Sequence, residues 1–140
     1  MIHRANIKYP NGSWGDMKDL KEFNEFRKRM NEAILGCGHL GLKRFWALDS
    51  RAYEPSRLDE KTLELLGLTT SMVLRCDDCV TYHVIRCIQL GFTDEELHDA
   101  LNVALVVGGS ITIPHIRRAF ETMERCRELQ ETDPRLESLL

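Results

Sequence analysis

The chain has 140 residues, 43% of them hydrophobic, which suffices for one domain with its own core. Its 19 Lys and Arg against 22 Asp and Glu give a formal net charge of −3, with the basic residues dispersed, which argues against a nucleic-acid-binding patch. No apolar run approaches the roughly 20 residues of a membrane span, and the opening MIHRANIKYP lacks a secretory apolar segment, so a soluble, cytoplasmic protein is expected.

Residues 1–15 contain Pro10, Gly12 and Gly15 and show no period, so they read as an arm. Asp16 is placed as an N-cap for a first helix from Met17 to about Leu35, whose Leu20, Phe23, Phe26, Met30 and Ile34 recur at helical spacing. Gly36-Cys37-Gly38 ends it, and Cys37 has no visible partner there. A second helix from about His39 to Tyr53 presents Leu40, Phe45, Trp46, Leu48 and Ala52 as its buried side, with Pro55 closing it. The third opens at Asp59 and carries Leu63, Leu66, Val73 and Leu74 inward. Its segment Gly67–Ser71 is poor in helix formers, and its small residues suit a close approach of two helices.

A fourth helix spans about Asp78 to Leu90, with Gly91 ending it. Thr93 and Glu96 form a capping box in front of a fifth, whose Leu97, Leu101, Ala104 and Leu105 share a face. Gly108-Gly109-Ser110 breaks the chain, and Pro114 sits in the first turn of a sixth helix reaching about Leu129. Ile113, Ile116, Phe120, Met123 and Cys126 make its stripe, and the remainder, about 131–140, is a polar tail. No strand pattern is present, so the expected class is all-α with about six helices in one domain, and the strand-dependent thioredoxin fold is disfavoured. Apolar residues on more than one side, as in Val103, Leu105, Val106 and Val107, predict a closed homo-oligomer.

The chemistry concentrates between Glu64 and Cys87. Cys76 and Cys79 form a Cys-x-x-Cys pair, and with His83 they fall at i, i+3 and i+7, on one face if a helix opens there. Amides at a new helix N-terminus can lower a thiol pKa from about 8.5 to about 3.5–7.5, so a reactive dithiol is the leading reading. Five cysteines without a secretion signal point to reduced thiols or redox chemistry and not to a structural disulfide framework. Zinc on Cys76, Cys79, His83 and Cys87 is an alternative, but Cys76 and Cys87 would stand about 16 Å apart along a continuous helix, so no metal is expected. Two space-filling core cysteines are the other alternative, and Asp77 and Asp78 between them, which prefer solvent or a helix N-terminus, count against it. Glu64 lies twelve residues before Cys76, about 18 Å away on a straight helix. It reaches His83 only if the chain reverses near Val73 and Leu74 or a neighbouring subunit supplies it. Gly-Gly-Ser before the last helix is a weak phosphate-site signal without the phosphate-loop Lys, and His115 is a second-tier candidate for the dithiol pocket.

Glu64, Cys76, Cys79 and His83, together with the downstream Gly-Phe-Thr-Asp-Glu-Glu-Leu and Val-Gly-Gly, make the segment from Leu58 to Ala119 resemble the AhpD-like branch of the carboxymuconolactone decarboxylase family. The resemblance implies an all-helical trimer or hexamer without a bound cofactor. It also implies a thiol-disulfide oxidoreductase acting on a peroxide or disulfide, fed by a dihydrolipoyl group on a lipoyl protein and passing electrons to a peroxiredoxin. In that reading Cys79 attacks, Cys76 is its disulfide partner, and His83 and Glu64 relay protons. The helix amides and the i to i+4 spacing to His83 favour Cys79 over Cys76 independently. The alternative within the family is a decarboxylase-type lyase or isomerase acting on a small lactone, and those enzymes lack the dithiol. One departure is Asp78, where AhpD carries a histidine.

Overall fold

The computed structural model describes residues 20–139. Among them are six α-helices, α1 (Leu20–Gly36), α2 (Leu40–Ala52), α3 (Glu60–Val73), α4 (Asp77–Gln89), α5 (Asp94–Gly108) and α6 (Ile113–Gln130), one 3-10 turn at Ser110–Thr112, and no strand. The all-α class read from the sequence is the class observed. The 1–15 arm and the Asp16 cap lie outside the described residues.

Local chemistry accounts for most helix ends. His39 caps α2, its Nδ1 accepting from the Leu42 amide, and Asp59 caps α3, its Oδ1 accepting from the Thr62 amide at 2.8 Å. That contact with Thr62 holds the Asp59 carboxyl below its ordinary pKa. Thr93 and Glu96 close both halves of the capping box on α5. The end of α4 is a left-handed turn at Gly91, φ 85°, in which the Phe92 amide returns to Cys87 O and the Gly91 amide to Ile88 O.

The same two-bond turn ends α3 without a glycine. The Cys76 amide donates to Ser71 O and the Arg75 amide to Met72 O, with Arg75 at φ 59°. A side chain in this region costs about 1–2 kcal/mol. The reversal is short, so Cys76 completes the capping of α3 and is also the N-cap of α4.

The core is built from α3 to α6. α3 packs against α4 and α5, and α4 against α6, around Leu68, Met72, Val84, Ile85, Leu97, Leu101 and Met123. Each such side chain contributes about 1.5–3 kcal/mol on full burial. On α3 the buried face is Glu64, Gly67, Leu68 and Met72, whereas Leu66 and Leu74, expected inward, are exposed. A Cβ built on Gly67 would stand 2.6 Å from the His83 ring, so the absent side chain is what lets α3 and α4 approach here.

Two further expectations are corrected. α2 buries no residue: Phe45 is 63% and Leu48 68% exposed, and Trp46 is only partly covered. The core takes in Leu20 of α1 and Leu136 and Leu139 from beyond α6, but no side chain of α2 among the described residues. The segment after α6 is polar in composition yet not a free tail. Leu136 and Leu139 are fully buried, the Gln89 side-chain amide donates to Leu136 O, and the Asp133 carboxylate accepts from the Glu137 and Ser138 amides. Two leucines spaced by three residues are enough to return a polar segment to the core.

Two stability measurements test these packing arguments. Arg75→Gly relieves the left-handed strain and is expected to raise stability by about 1 kcal/mol in chemical denaturation. Gly67→Ala forces a methyl group into an imidazole that cannot withdraw, because both ring nitrogens are held (described below), and is expected to cost about 1–3 kcal/mol.

Candidate active site

Cys76 and Cys79 are joined as a disulfide with their Cα atoms 5.3 Å apart. Cys76 occupies the N-cap of α4 with extended backbone and makes no side-chain capping bond, and Cys79 lies in the first turn. Both are partly exposed, so the pair sits at the surface end of a helix whose remaining length is mostly buried. Asp77 and Asp78 fill the rest of that turn, where carboxylates complement the helix dipole.

One helical turn beyond Cys79 stands His83, 5% exposed. Its Nδ1 is 2.8 Å from Glu64 Oε2, and Glu64 is 2% exposed. The chain does reverse between α3 and α4, so Glu64 and His83 meet within one subunit. Behind them Arg86 Nε lies 3.7 Å from Glu64 Oε1, and the Arg86 guanidinium also bonds Glu60. The other ring nitrogen, Nε2, is 3.2 Å from the Tyr53 hydroxyl. Tyr82 packs edge-on to the His83 ring, and the Arg27 guanidinium of α1 lies 4.4 Å above the Tyr82 ring.

With Glu64 as acceptor, Nδ1 carries the hydrogen, and Nε2 is left to exchange a proton. Burial first, then the negative charges of Asp49 and Glu64, push the Tyr53 hydroxyl above its ordinary pKa, so it remains a phenol. A phenol donates to a neutral Nε2 and accepts from a protonated one. His83 therefore keeps the same two partners in either state, which suits a group that cycles a proton.

Tyr53 is the residue that sequence reasoning missed. It closes a helix before Pro55, and nothing in its local pattern points at a histidine 30 positions away. His115, a candidate for the dithiol pocket, lies at the dithiol turn. Its Nδ1 is 2.7 Å from Asp77 Oδ1, and Asp77 Oδ2 is bonded by Arg118, so α6 touches the dithiol turn through the first aspartate between the cysteines.

The other three cysteines are not joined in a disulfide. Cys87 and Cys126 are fully buried in the apolar core, and burial pushes both thiols up to about 12. Cys37 is exposed. Among the described residues no group of three or more His, Cys, Asp or Glu is arranged to hold a metal ion. No described helix is long and apolar enough to cross a membrane.

Comparison with known proteins identifies the chain's relatives. Residues 40–122 match the Carboxymuconolactone decarboxylase family. The fold is similar to a Thermotoga maritima protein known from two crystal structures. One is 54% identical, covering 80% of this chain and 98% of that one, with a TM-score of 0.78. The other is 53% identical, covering 81% and 96%, with a TM-score of 0.76, and is described as a family member whose involvement in the antioxidative response has been suggested. A family protein from Legionella pneumophila, in its apo form, is 26% identical over 76% of this chain and 96% of that one, with a TM-score of 0.58. No functionally curated protein matches. A match reaching from α2 into α6, and a relative more than half identical along nearly its whole length, establish that this chain belongs to the carboxymuconolactone decarboxylase family.

Proposed function

We propose that the protein is a thiol-disulfide oxidoreductase that reduces peroxides through Cys76 and Cys79. The observation that carries this reading is the position of the cysteine pair, at the N-terminus of α4 and one turn from a histidine held at both nitrogens by Glu64 and Tyr53. A dithiol peroxidase needs a thiolate, a base to form it and an acid for the leaving oxygen. The antioxidative role suggested for the Thermotoga maritima relative agrees with it.

The cycle starts from the reduced pair. His83 takes the Cys79 proton, the thiolate attacks one peroxide oxygen, the O–O bond breaks, and the departing oxygen leaves as an alcohol with the proton held by His83. Cys79 is now a sulfenic acid. The Cys76 thiol displaces its hydroxyl, releasing water and forming the Cys76–Cys79 disulfide. A dithiol donor of the dihydrolipoyl class then reduces the pair by exchange and becomes the oxidised dithiol. Cys79 is the attacking thiol because it lies nearer the helix amides and four residues before His83.

Organic hydroperoxide consumption with dihydrolipoamide as donor tests this. Wild type turns over; Cys79→Ser does not; His83→Ala falls by about 10²-fold or more. Cys76→Ser forms a stable mixed disulfide with an oxidised partner, whereas Cys79→Ser does not. A wild-type protein that consumes no peroxide under these conditions overturns the proposal, and adduct formation confined to Cys79→Ser reverses the two roles.

Alkylation of the reduced native protein provides a separate check on thiol environment. Iodoacetamide is expected to label Cys37 and the dithiol at neutral pH and to reach Cys87 and Cys126 only after denaturation, since a thiol with a pKa near 12 carries almost no thiolate. Mass spectrometry of labelled peptides reads this directly.

A further inference from the structure

The dithiol carries a liability in its own sequence. Asp77 and Asp78 lie between the cysteines, in the turn whose amides would stabilise a thiolate. Two negative charges there oppose that stabilisation, because a like charge nearby disfavours the ionised thiol. The structure supplies a counterweight from a distant part of the chain. Asp77 Oδ1 is 2.7 Å from His115 Nδ1 and Asp77 Oδ2 is bonded by Arg118, so each carboxylate oxygen has its own cationic or N–H partner. His115 and Arg118 are three residues apart on α6 and so share a face. The Asp77 side chain is 29% exposed, so solvent screens the group only in part. Asp78, Arg75 and Arg117, the other charged residues beside this cluster in the chain, are exposed, where screening is strongest.

We propose that His115 and Arg118 are positioning residues of the dithiol, which neutralise Asp77 and fix it to α6 so that the acidic pair between the cysteines does not suppress the Cys79 thiolate. The proposal rests on the dithiol reading above and assigns to α6 a part in it. Arg118 stays charged at every physiological pH, which makes it the constant part of the device. His115 holds the other oxygen through Nδ1–H whether or not its second nitrogen is protonated.

The test measures the ionisation of one thiol and does not depend on turnover. In a reduced Cys37→Ser/Cys76→Ser background, the rate of iodoacetamide labelling at Cys79 is followed against pH by mass spectrometry. Arg118→Gln is expected to raise the midpoint of that profile by about half a pH unit or more, since it leaves Asp77 without its cationic partner, and His115→Gln to raise it by less, since Arg118 still holds the other oxygen. Asp77→Asn is expected to lower it, and in the Asp77→Asn background Arg118→Gln should have a smaller effect, since Asp77 is what holds the guanidinium beside the turn. Arg118→Lys, which keeps the charge, should stay close to the background profile.

Opposite signs for Arg118→Gln and Asp77→Asn, with the first effect diminished when Asp77 is neutral, would not arise from loosened packing alone. Unshifted midpoints in both glutamine variants, or an Arg118→Gln shift that persists undiminished in the Asp77→Asn background, overturn the proposal. If Arg118→Gln fails to fold by circular dichroism, His115→Gln with and without Asp77→Asn decides the matter by the same criteria. Failure of the parent reading is separate: a wild-type protein without peroxide turnover that still shows the coupled shift loses the proposed activity and keeps the role of α6.

Discussion

Glu64 and His83 meet in the space between α3 and α4, 2.8 Å apart and almost out of contact with water. Groups of this kind are costly to bury alone, and removing one member of such a pair costs about 3–5 kcal/mol because the other is left stranded. Much of the surrounding architecture follows from keeping the two together. α3 must carry a glycine where the imidazole ring crosses it, which is Gly67. The link between the helices must be short enough to hold their register, which the Arg75 turn achieves. Arg86 must stand close enough to face the second carboxyl oxygen. The cysteines then sit where they do because they occupy the start of the helix that His83 anchors.

What the sequence made legible depended on whether a feature was local. Asp59, the Thr93 and Glu96 box and Gly91 announce helix ends through side chains and backbone freedom that act within four residues, and each was found where its chemistry put it. The reversal opposite Val73 and Leu74 was also accessible, since Glu64 and His83 can meet only if the chain folds back midway between them. The clue at Gly67 came from composition, as a run of small residues in an otherwise ordinary helix. By contrast, Arg75 gives no sign that it adopts a left-handed conformation, because the cost is borne by one residue and offset by two hydrogen bonds and by the packing on either side.

The misses share a physical cause. Periodicity reports that a helix has an apolar stripe and not what lies against it. Leu66 and Leu74 obey the period of α3 and face outward, while Glu64, a charged residue that a hydrophobic pattern would place at the surface, faces inward. α2 has a stripe of aromatic and aliphatic residues and no buried member, and Leu136 and Leu139 were hidden in a polar segment. Tyr53 and the Asp77, His115 and Arg118 cluster join residues 30 to 41 positions apart through polar side chains, and no single-sequence period records such a pairing.

The short turn at Arg75 also gives meaning to a length. Cys76 closes α3 and opens α4, so there is no slack in the chain between the carboxyl group and the cysteine pair. Each residue of helix turns its face by about 100° and advances it by about 1.5 Å. Adding or deleting one residue in α3 between Glu64 and the turn would swing the carboxyl group to a different side while leaving α4 intact. Such a chain would retain both cysteines and the histidine at their proper spacing, yet the imidazole would face an empty wall. The twelve-residue interval from Glu64 to Cys76 is thus a rotational setting as much as a distance.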